Sequence, residues 1–468
     1  MGRPRQSREL SVWMNGERVG TWVLPGRGVQ EFHYAESWLT SPNHRPLSLS
    51  LQPVPGATEL RGLAVEAWFE NLLPDSASIR QRVQQRFKAA STGAFDLLEA
   101  VGRDCAGAVQ LLPPGEQPSG LDRIEADPLT DRAIGRLLRG VASPTASALA
   151  GPAEEELRLS VAGAQEKTAL LFHNGRWCRP LRSTPTSHLF KLPIGVVGTG
   201  QIDLSTSVEN EWLCGRLLAA YGLDVASAQI AAFEGQRCLI VERFDRRLHP
   251  SGTHWLRLPT EDFCQATATP PRYKYESEGG PGMVTISQWL AQSATPEKDL
   301  QTFFSAQVLF WMLRAIDGHA KNFSLFLQAG GRYQLTPLYD VLSAWPVIGK
   351  GEGRYAQQQI RMAMAWHGTK SRTYKPLQIQ RRHMIATASR MGLAGRADDL
   401  LESLIARTPG AIAAVSAQLP KDFPVAVSEP IFEGLRTSAV QLSSHKMPSN
   451  AGIAGHRHLV SEAGQPHP

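Results

Sequence analysis

Residues 308–345 read VLFWMLRAIDGHAKNFSLFLQAGGRYQLTPLYDVLSAW, and the order of elements in this stretch decides the fold class. Its first residues are apolar almost all round, which predicts a buried helix. That helix delivers the chain into the polar run Asp317-Gly318-His319-Ala320-Lys321-Asn322. FSLFLQ and RYQL then alternate around Ala329-Gly330-Gly331, which predicts a hairpin that ends close to Asp340 and brings it back beside the polar loop.

Phosphoryl transfer needs this set of groups. A carboxylate must orient the attacking hydroxyl while metal ions neutralise the charge of the γ-phosphate. Asp317 and Asn322 reproduce the D-x-x-x-x-N spacing of a kinase catalytic loop, which gives a base and a hard oxygen ligand. Asp340 supplies the second metal position. His319 either contacts a nucleotide or shapes the loop by hydrogen bonding.

Upstream, LRLSVAGAQEKTALLF (157–172) sets a small-residue turn around Gly163 between two strand-like runs, where backbone N–H groups can face phosphates. It is not a Walker A loop, because Val161 and Glu166 stand where that motif needs glycine. In SHLFKLP (187–193), Lys191 sits in a short apolar strand, as the phosphate-binding lysine of kinases does. The helical segment 207–223 offers either Glu209 or Glu211 as its partner. CLIVERFDRR (238–247) predicts a strand leaving the core, with Glu242, Arg243 and Phe244 where a kinase hinge meets adenine.

Around these segments the chain of 468 residues is long enough for two to four domains, and its 42% hydrophobic content excludes global disorder. Five widely separated cysteines with no C-x-x-C pair fit a reducing compartment, and no apolar run has the length of a membrane span. A cytoplasmic protein without a membrane partner is expected. The pattern divides the chain into a disordered start (1–10), a β-containing N-terminal domain (11–115) opened by a hairpin at Asn15-Gly16, and a Pro/Gly-rich connector (116–156). A small lobe (157–245), a mainly helical large lobe (246–425) and a disordered tail (426–468) follow.

The net charge of +6 is localised. Residues 350–390 hold Lys350, Arg354, Arg361, Lys370, Arg372, Lys375, Arg381, Arg382 and Arg390 against the single acid Glu352, so the rest of the chain is slightly acidic. Such a patch is either a solvated face or a contact for DNA, with Lys370, Arg372, Arg381, Arg382 and Arg390 as the candidate residues.

Taken together, LSVAGAQEKTALL, HLFKLPIG, VERFDRR, RLPTEDFCQA, YESEGGPG, DGHAKNFSLF and LTPLYDVLSA resemble the HipA family of bacterial serine/threonine kinase toxins. WMNGERVG, RPLSLSL, FENLLPDS and FDLLEAVGRD resemble that family's N-terminal domain. The resemblance implies an α+β, bilobal protein-kinase-like fold that uses ATP and Mg²⁺. By position, it implies that Asp317 is the catalytic aspartate, that Asn322 and Asp340 are metal ligands, and that Lys191 contacts phosphate. Ala162, Gly163, Ala164, Gln165, Glu166 and Lys167, the hinge Glu242–Phe244, and His319, Ala320, Lys321, Asn322, Tyr339 and Asp340 would line the ATP site. Ser160 matches the family's autophosphorylated serine, whose modification shuts the enzyme down. The resemblance further implies a HipB-like helix-turn-helix antitoxin and operator DNA as partners, and an aminoacyl-tRNA synthetase, notably glutamyl-tRNA synthetase, as protein substrate. Two other readings stay open: transfer to a small molecule or lipid by the same fold, and a DNA-binding corepressor with a vestigial kinase site.

Overall fold

The computed structural model describes residues 7–54, 56, 58–142, 159–160, 165–198 and 200–444. The chain opens in a five-stranded antiparallel sheet built from Arg8–Met14, Glu17–Leu24, Glu31–Tyr34, Glu59–Arg61 and Val109–Leu112. The first two strands turn at Asn15-Gly16, the expected hairpin. Their inward residues Leu10, Val12 and Trp22 bury with Trp68 and Phe69 of helix Leu63–Glu70, and the Trp22 and Phe69 rings stack at 3.8 Å.

The small lobe is a six-stranded sheet in the spatial order Ala228–Phe233, Gln236–Glu242, His188–Lys191, Lys167–His173, Arg176–Pro180 and Ala126–Pro128. Its last strand corrects the expected connector, because Ala126–Pro128 pairs with Arg176–Pro180. Helix Asp131–Ala142 follows and buries Ile134, Leu137 and Leu138 against Leu170, Phe190 and Ile240. The Pro/Gly-rich composition of 113–120 hid this helix, and 143–158 lie outside the described residues.

The large lobe is helical around Pro296–Leu313, whose second half is buried on every side, as its sequence predicts. The hairpin Ser324–Leu327 and Tyr333–Leu335 pairs with Thr260–Asp262 and carries the chain to Asp340. The expected tail is also corrected, because Val425–Ser444 is a helix. Val427, Ile431, Leu435 and Leu442 recur at helical spacing and bury in the lobe core. Pro430 and Gly434 masked the pattern. A Cβ at Gly434 would lie 2.3 Å from the Trp345 ring, so the helix needs glycine there to pack. The expected disordered start is shortened by the strand Arg8–Met14, while 1–6 and 445–468 lie outside the described residues. Among the described residues, no helix is long and apolar enough to cross a membrane.

Candidate active site

A cleft between the lobes collects the groups singled out by the sequence: Lys167, Lys191, Glu242, Phe244, Asp317, His319, Lys321, Asn322, Tyr339 and Asp340 all line it. Lys191 reaches Glu211 Oε1 at 2.6 Å and Asp340 Oδ1 at 2.7 Å. Two residues apart on a helix point to nearly opposite sides, so one glutamate at most can face the strand. The structure selects Glu211, while Glu209 pairs with Arg237.

Asp340 sits in the left-handed region at φ 61, rare for a residue other than glycine. That conformation aims its carboxylate at both Lys191 and Asn322, whose Nδ2 donates to Asp340 Oδ2 at 3.1 Å. Burial alone would raise the Asp340 pKa, but Lys191 and Lys167 hold it well below the ordinary carboxylate range. Lys167, opposite Lys191 in the sheet, is lowered by burial and by that neighbouring charge to about 8.

The Asn322 oxygen accepts from the His319 backbone N–H at 3.1 Å, closing the turn Ala320–Asn322. As placed, the amide presents nitrogen to Asp340, so it offers a hard oxygen beside Asp340 only when it turns. Burial lowers His319 to about 3, and the ring is neutral near pH 7. Asp317 stands at the mouth of the cleft with 63% of its side chain accessible, and its Oδ1 lies 3.9 Å from His319 Nε2. The surrounding protein raises its pKa, and a hydrogen bond from Tyr275 opposes that rise.

Some expected residues have other partners. Arg243 lines the cleft only beside its neighbours, since its guanidinium turns away and is buried on Asp245 at 2.8 Å, Thr186 at 2.9 Å and the Cys105 carbonyl at 2.8 Å. Ala320 is fully buried within the turn. Tyr339 donates to the Lys321 carbonyl at 2.8 Å and lies 5.5 Å from the Phe244 ring. Ser160 is 1% exposed and donates to the Leu72 carbonyl at 2.8 Å, against the N-terminal domain. Of the expected phosphate loop, Gln165, Glu166 and Lys167 are placed; Ala162, Gly163 and Ala164 lie outside the described residues.

Of the candidate DNA residues, Arg381 is corrected. It is 3% exposed and spans Asp398 at 2.7 Å and Glu402 at 2.9 Å, because its place on helix Arg381–Arg390 faces helix Ala397–Ser416. Lys370, Arg372, Arg382 and Arg390 are exposed. Arg372 faces Glu276 at 3.4 Å and Arg390 donates to the Gly368 carbonyl at 3.1 Å.

Among the cleft residues not singled out from the sequence are Asp75, Lys274 and Asp262. Asp75 enters from the N-terminal domain and accepts from Lys274 and Lys321, both at 2.8 Å. Burial would raise its pKa, but the two lysines pull it down to about 2. Asp262, which caps helix Phe263–Ala266, is raised by burial to about 6. The motifs FENLLPDS and RLPTEDFCQA were the available signal for Asp75 and Asp262.

The model of the HipA-like C-terminal domain matches residues 159–412, and that of the HipA N-terminal domain matches residues 10–112. The chain belongs to the HipA family. This HipA-family chain is 37% identical over 345 residues to "Putative kinase Y4mE" of Sinorhizobium fredii, covering 72% of this chain and 77% of that protein. It is 27% identical over 329 residues to the serine/threonine-protein kinase toxin HipA of Shewanella oneidensis, covering 66% and 69%. Among solved structures it matches the Shewanella oneidensis HipA, HipB and operator DNA complex with a TM-score of 0.73 at 22% identity, over 93% of this chain and 97% of that one. The HipA-type α+β kinase-like fold is thereby shared across nearly the whole chain.

Proposed function

We propose that this chain is a serine/threonine protein kinase that uses ATP and Mg²⁺ and serves as the toxin of a toxin–antitoxin pair. The observation that carries the reading is the convergence of Lys191, Glu211, Asn322 and Asp340 behind a cleft whose mouth holds the open carboxylate of Asp317. Ion pairing fixes the Lys191 ammonium where it can meet phosphate oxygens, and Asp340 together with Glu211 keeps it charged despite burial. Leu189, Ala226, Val241 and Phe244 give the inner cleft an apolar wall suited to adenine. The Glu242 and Arg243 amides already donate to Ser227 and Ser187 at 2.8 and 2.9 Å, so hinge recognition falls to the Phe244 end.

Asp340, with Asn322 once its amide turns, offers the hard oxygens that would hold Mg²⁺; bound there, the ion supplies charge neutralisation to the phosphates. Asp317 takes the proton of the acceptor hydroxyl while the acceptor oxygen bonds to the γ-phosphorus and the bond to the ADP oxygen breaks. Neutral His319 shapes the loop and adds no positive charge beside this base.

The likeness to the Shewanella complex supports a HipB-like helix-turn-helix antitoxin and operator DNA as partners, with Lys370, Arg372, Arg382 and Arg390 as the basic face. The family resemblance supports an aminoacyl-tRNA synthetase, such as glutamyl-tRNA synthetase, as the acceptor. Phosphorylating Ser160 adds about two charges at a position 1% exposed, which would expel it from the Leu72 carbonyl and carry the phosphate loop with it. The test incubates the purified chain with γ-labelled ATP, Mg²⁺ and a bacterial lysate. Labelled phosphoserine in protein is expected, with none from Asp317→Asn. Label in lipid or metabolites overturns the protein acceptor, and equal labelling by the two forms overturns Asp317 as base.

A further inference from the structure

Tyr275 lies in YESEGGPG, a motif that the proposed reaction leaves without a role. Its segment is fixed from several directions. Glu276 accepts from the Ala365 N–H and pairs with Arg372, and its own N–H donates to the Ala363 carbonyl. The Gly280 N–H returns to the Tyr275 carbonyl, and a Cβ at Gly280 would lie 2.1 Å from the Tyr273 carbonyl oxygen. The Lys274 carbonyl accepts from Ala320 in the catalytic turn at 3.4 Å. The Tyr275 ring stands edge-on to His319 at 5.1 Å, and its hydroxyl donates to Asp317 Oδ1.

This hydrogen bond has the chemistry of the reactive one: a neutral hydroxyl donating to the carboxylate that removes its proton. Burial and Asp317 both raise the Tyr275 pKa, so the phenol keeps its proton and remains a donor. Tyr275 also lines a cavity of about 390 Å³ between helix Leu63–Glu70 and 270–278, together with Leu63, Glu66, Asp75, Pro271 and Lys274. Tyr275 thus lines a second recess while its hydroxyl holds Asp317 of the nucleotide cleft. A polypeptide segment seated in that recess meets this ring beside Asp317.

We propose that Tyr275 is a plug of the acceptor site: its hydroxyl holds the place of the acceptor hydroxyl on Asp317 and gives way when a substrate segment enters the recess. The inference rests on the reading of Asp317 as catalytic base. It makes Tyr275 a gatekeeping residue whose loss frees the base for other hydroxyls, water first.

The full chain, with Tyr275→Phe, Tyr275→Ala and Asp317→Asn, is assayed for ATP hydrolysis in the absence of protein acceptor and for phosphate transfer to N-acetylserine amide. Tyr275→Phe is expected to raise ATP hydrolysis several-fold with KM for ATP unchanged, and Tyr275→Ala to add transfer to the serine amide. Hydrolysis that falls in Tyr275→Phe overturns the plug and makes Tyr275 an orienting group for Asp317. Unchanged hydrolysis also overturns it, as does phosphate recovered on Tyr275 of the wild type, which would make it an acceptor. Asp317→Asn retaining the wild-type rate removes the underlying base assignment instead, whatever Tyr275 does.

Discussion

Asp75 of the N-terminal domain meets Lys321 of the turn Ala320–Asn322 at 2.8 Å, across 246 residues of sequence. The same carboxylate takes Lys274 at 2.8 Å, one residue before Tyr275. A group from outside the two lobes thus sets the position of two cations at the mouth of the cleft.

This pairing predicts an acid-sensitive contact. The Asp75 pKa is depressed in the folded chain to about 2 from 3.8, so its contribution is full above pH about 4 and is lost as pH falls through about 2. The shift corresponds to about 2 kcal/mol. Asp75→Asn should lower the unfolding midpoint at pH 7 and flatten the loss of stability between pH 4 and 2, as measured by urea titrations at each pH.

Glu209 and Glu211 should separate cleanly. Glu211→Gln leaves Lys191 with Asp340 alone, and a drop of at least tenfold in kcat/KM for ATP is expected. Glu209→Gln breaks only the contact with half-exposed Arg237 and should leave turnover within a factor of two. Steady-state ADP release measures both.

The acidic limb of the pH–rate profile should lie above the ordinary aspartate value of about 4, because the Asp317 pKa is raised and only its carboxylate accepts a proton. Tyr275→Phe removes a donor that favours the charged form, so the limb should move to higher pH. A profile of kcat/KM in wild type and variant measures the displacement.

Leu435→Ala should cost about 2–5 kcal/mol, the usual range for a buried leucine. Leu435 is fully buried in helix Val425–Ser444, and that helix closes the large-lobe core. Truncation at 425, which removes this helix, should lower the thermal midpoint sharply; differential scanning calorimetry compares it with the full chain.

Arg381 and Arg382 should differ in kind. Arg381→Ala removes a buried guanidinium that joins two helices and should destabilise by about 1–3 kcal/mol. Arg382→Ala should leave stability unchanged. If the exposed basic face meets DNA, combining it with Lys370→Ala and Arg390→Ala should weaken operator binding of the antitoxin complex and reduce its salt slope.

Local arrangement was the legible part. Asp317 and Asn322 share one turn, and the short hairpin from Ser324 to Leu335 leaves little freedom in where Asp340 arrives. The choice of Glu211 over Glu209 was not legible, because both orientations of a helix with so many apolar residues look alike until a strand packs on it. Asp75, Lys274 and Tyr275 escaped because their partners are set by docking of the N-terminal domain and by a loop clamped to 363–372, and neither leaves a periodic trace. Arg381 was counted as surface on charge alone, though its neutralising acids lie 17 and 21 residues downstream at Asp398 and Glu402.

The guanidinium of Arg243, in the middle of the hinge, closes on Asp245, while Asp104 of the N-terminal domain holds Arg246 at 2.9 Å and Arg257 at 3.3 Å. Asp104 is thus the keystone of an arch whose other stones are arginines. Deleting the N-terminal domain would take Asp104 from Arg243, Arg246 and Arg257 and leave Asp245 paired with the first two alone, so the excised lobes should be markedly less stable than the full chain. A chimera that grafts another N-terminal domain onto these lobes must bring an acid to that place, which ties the inheritance of the first hundred residues to that of the hinge.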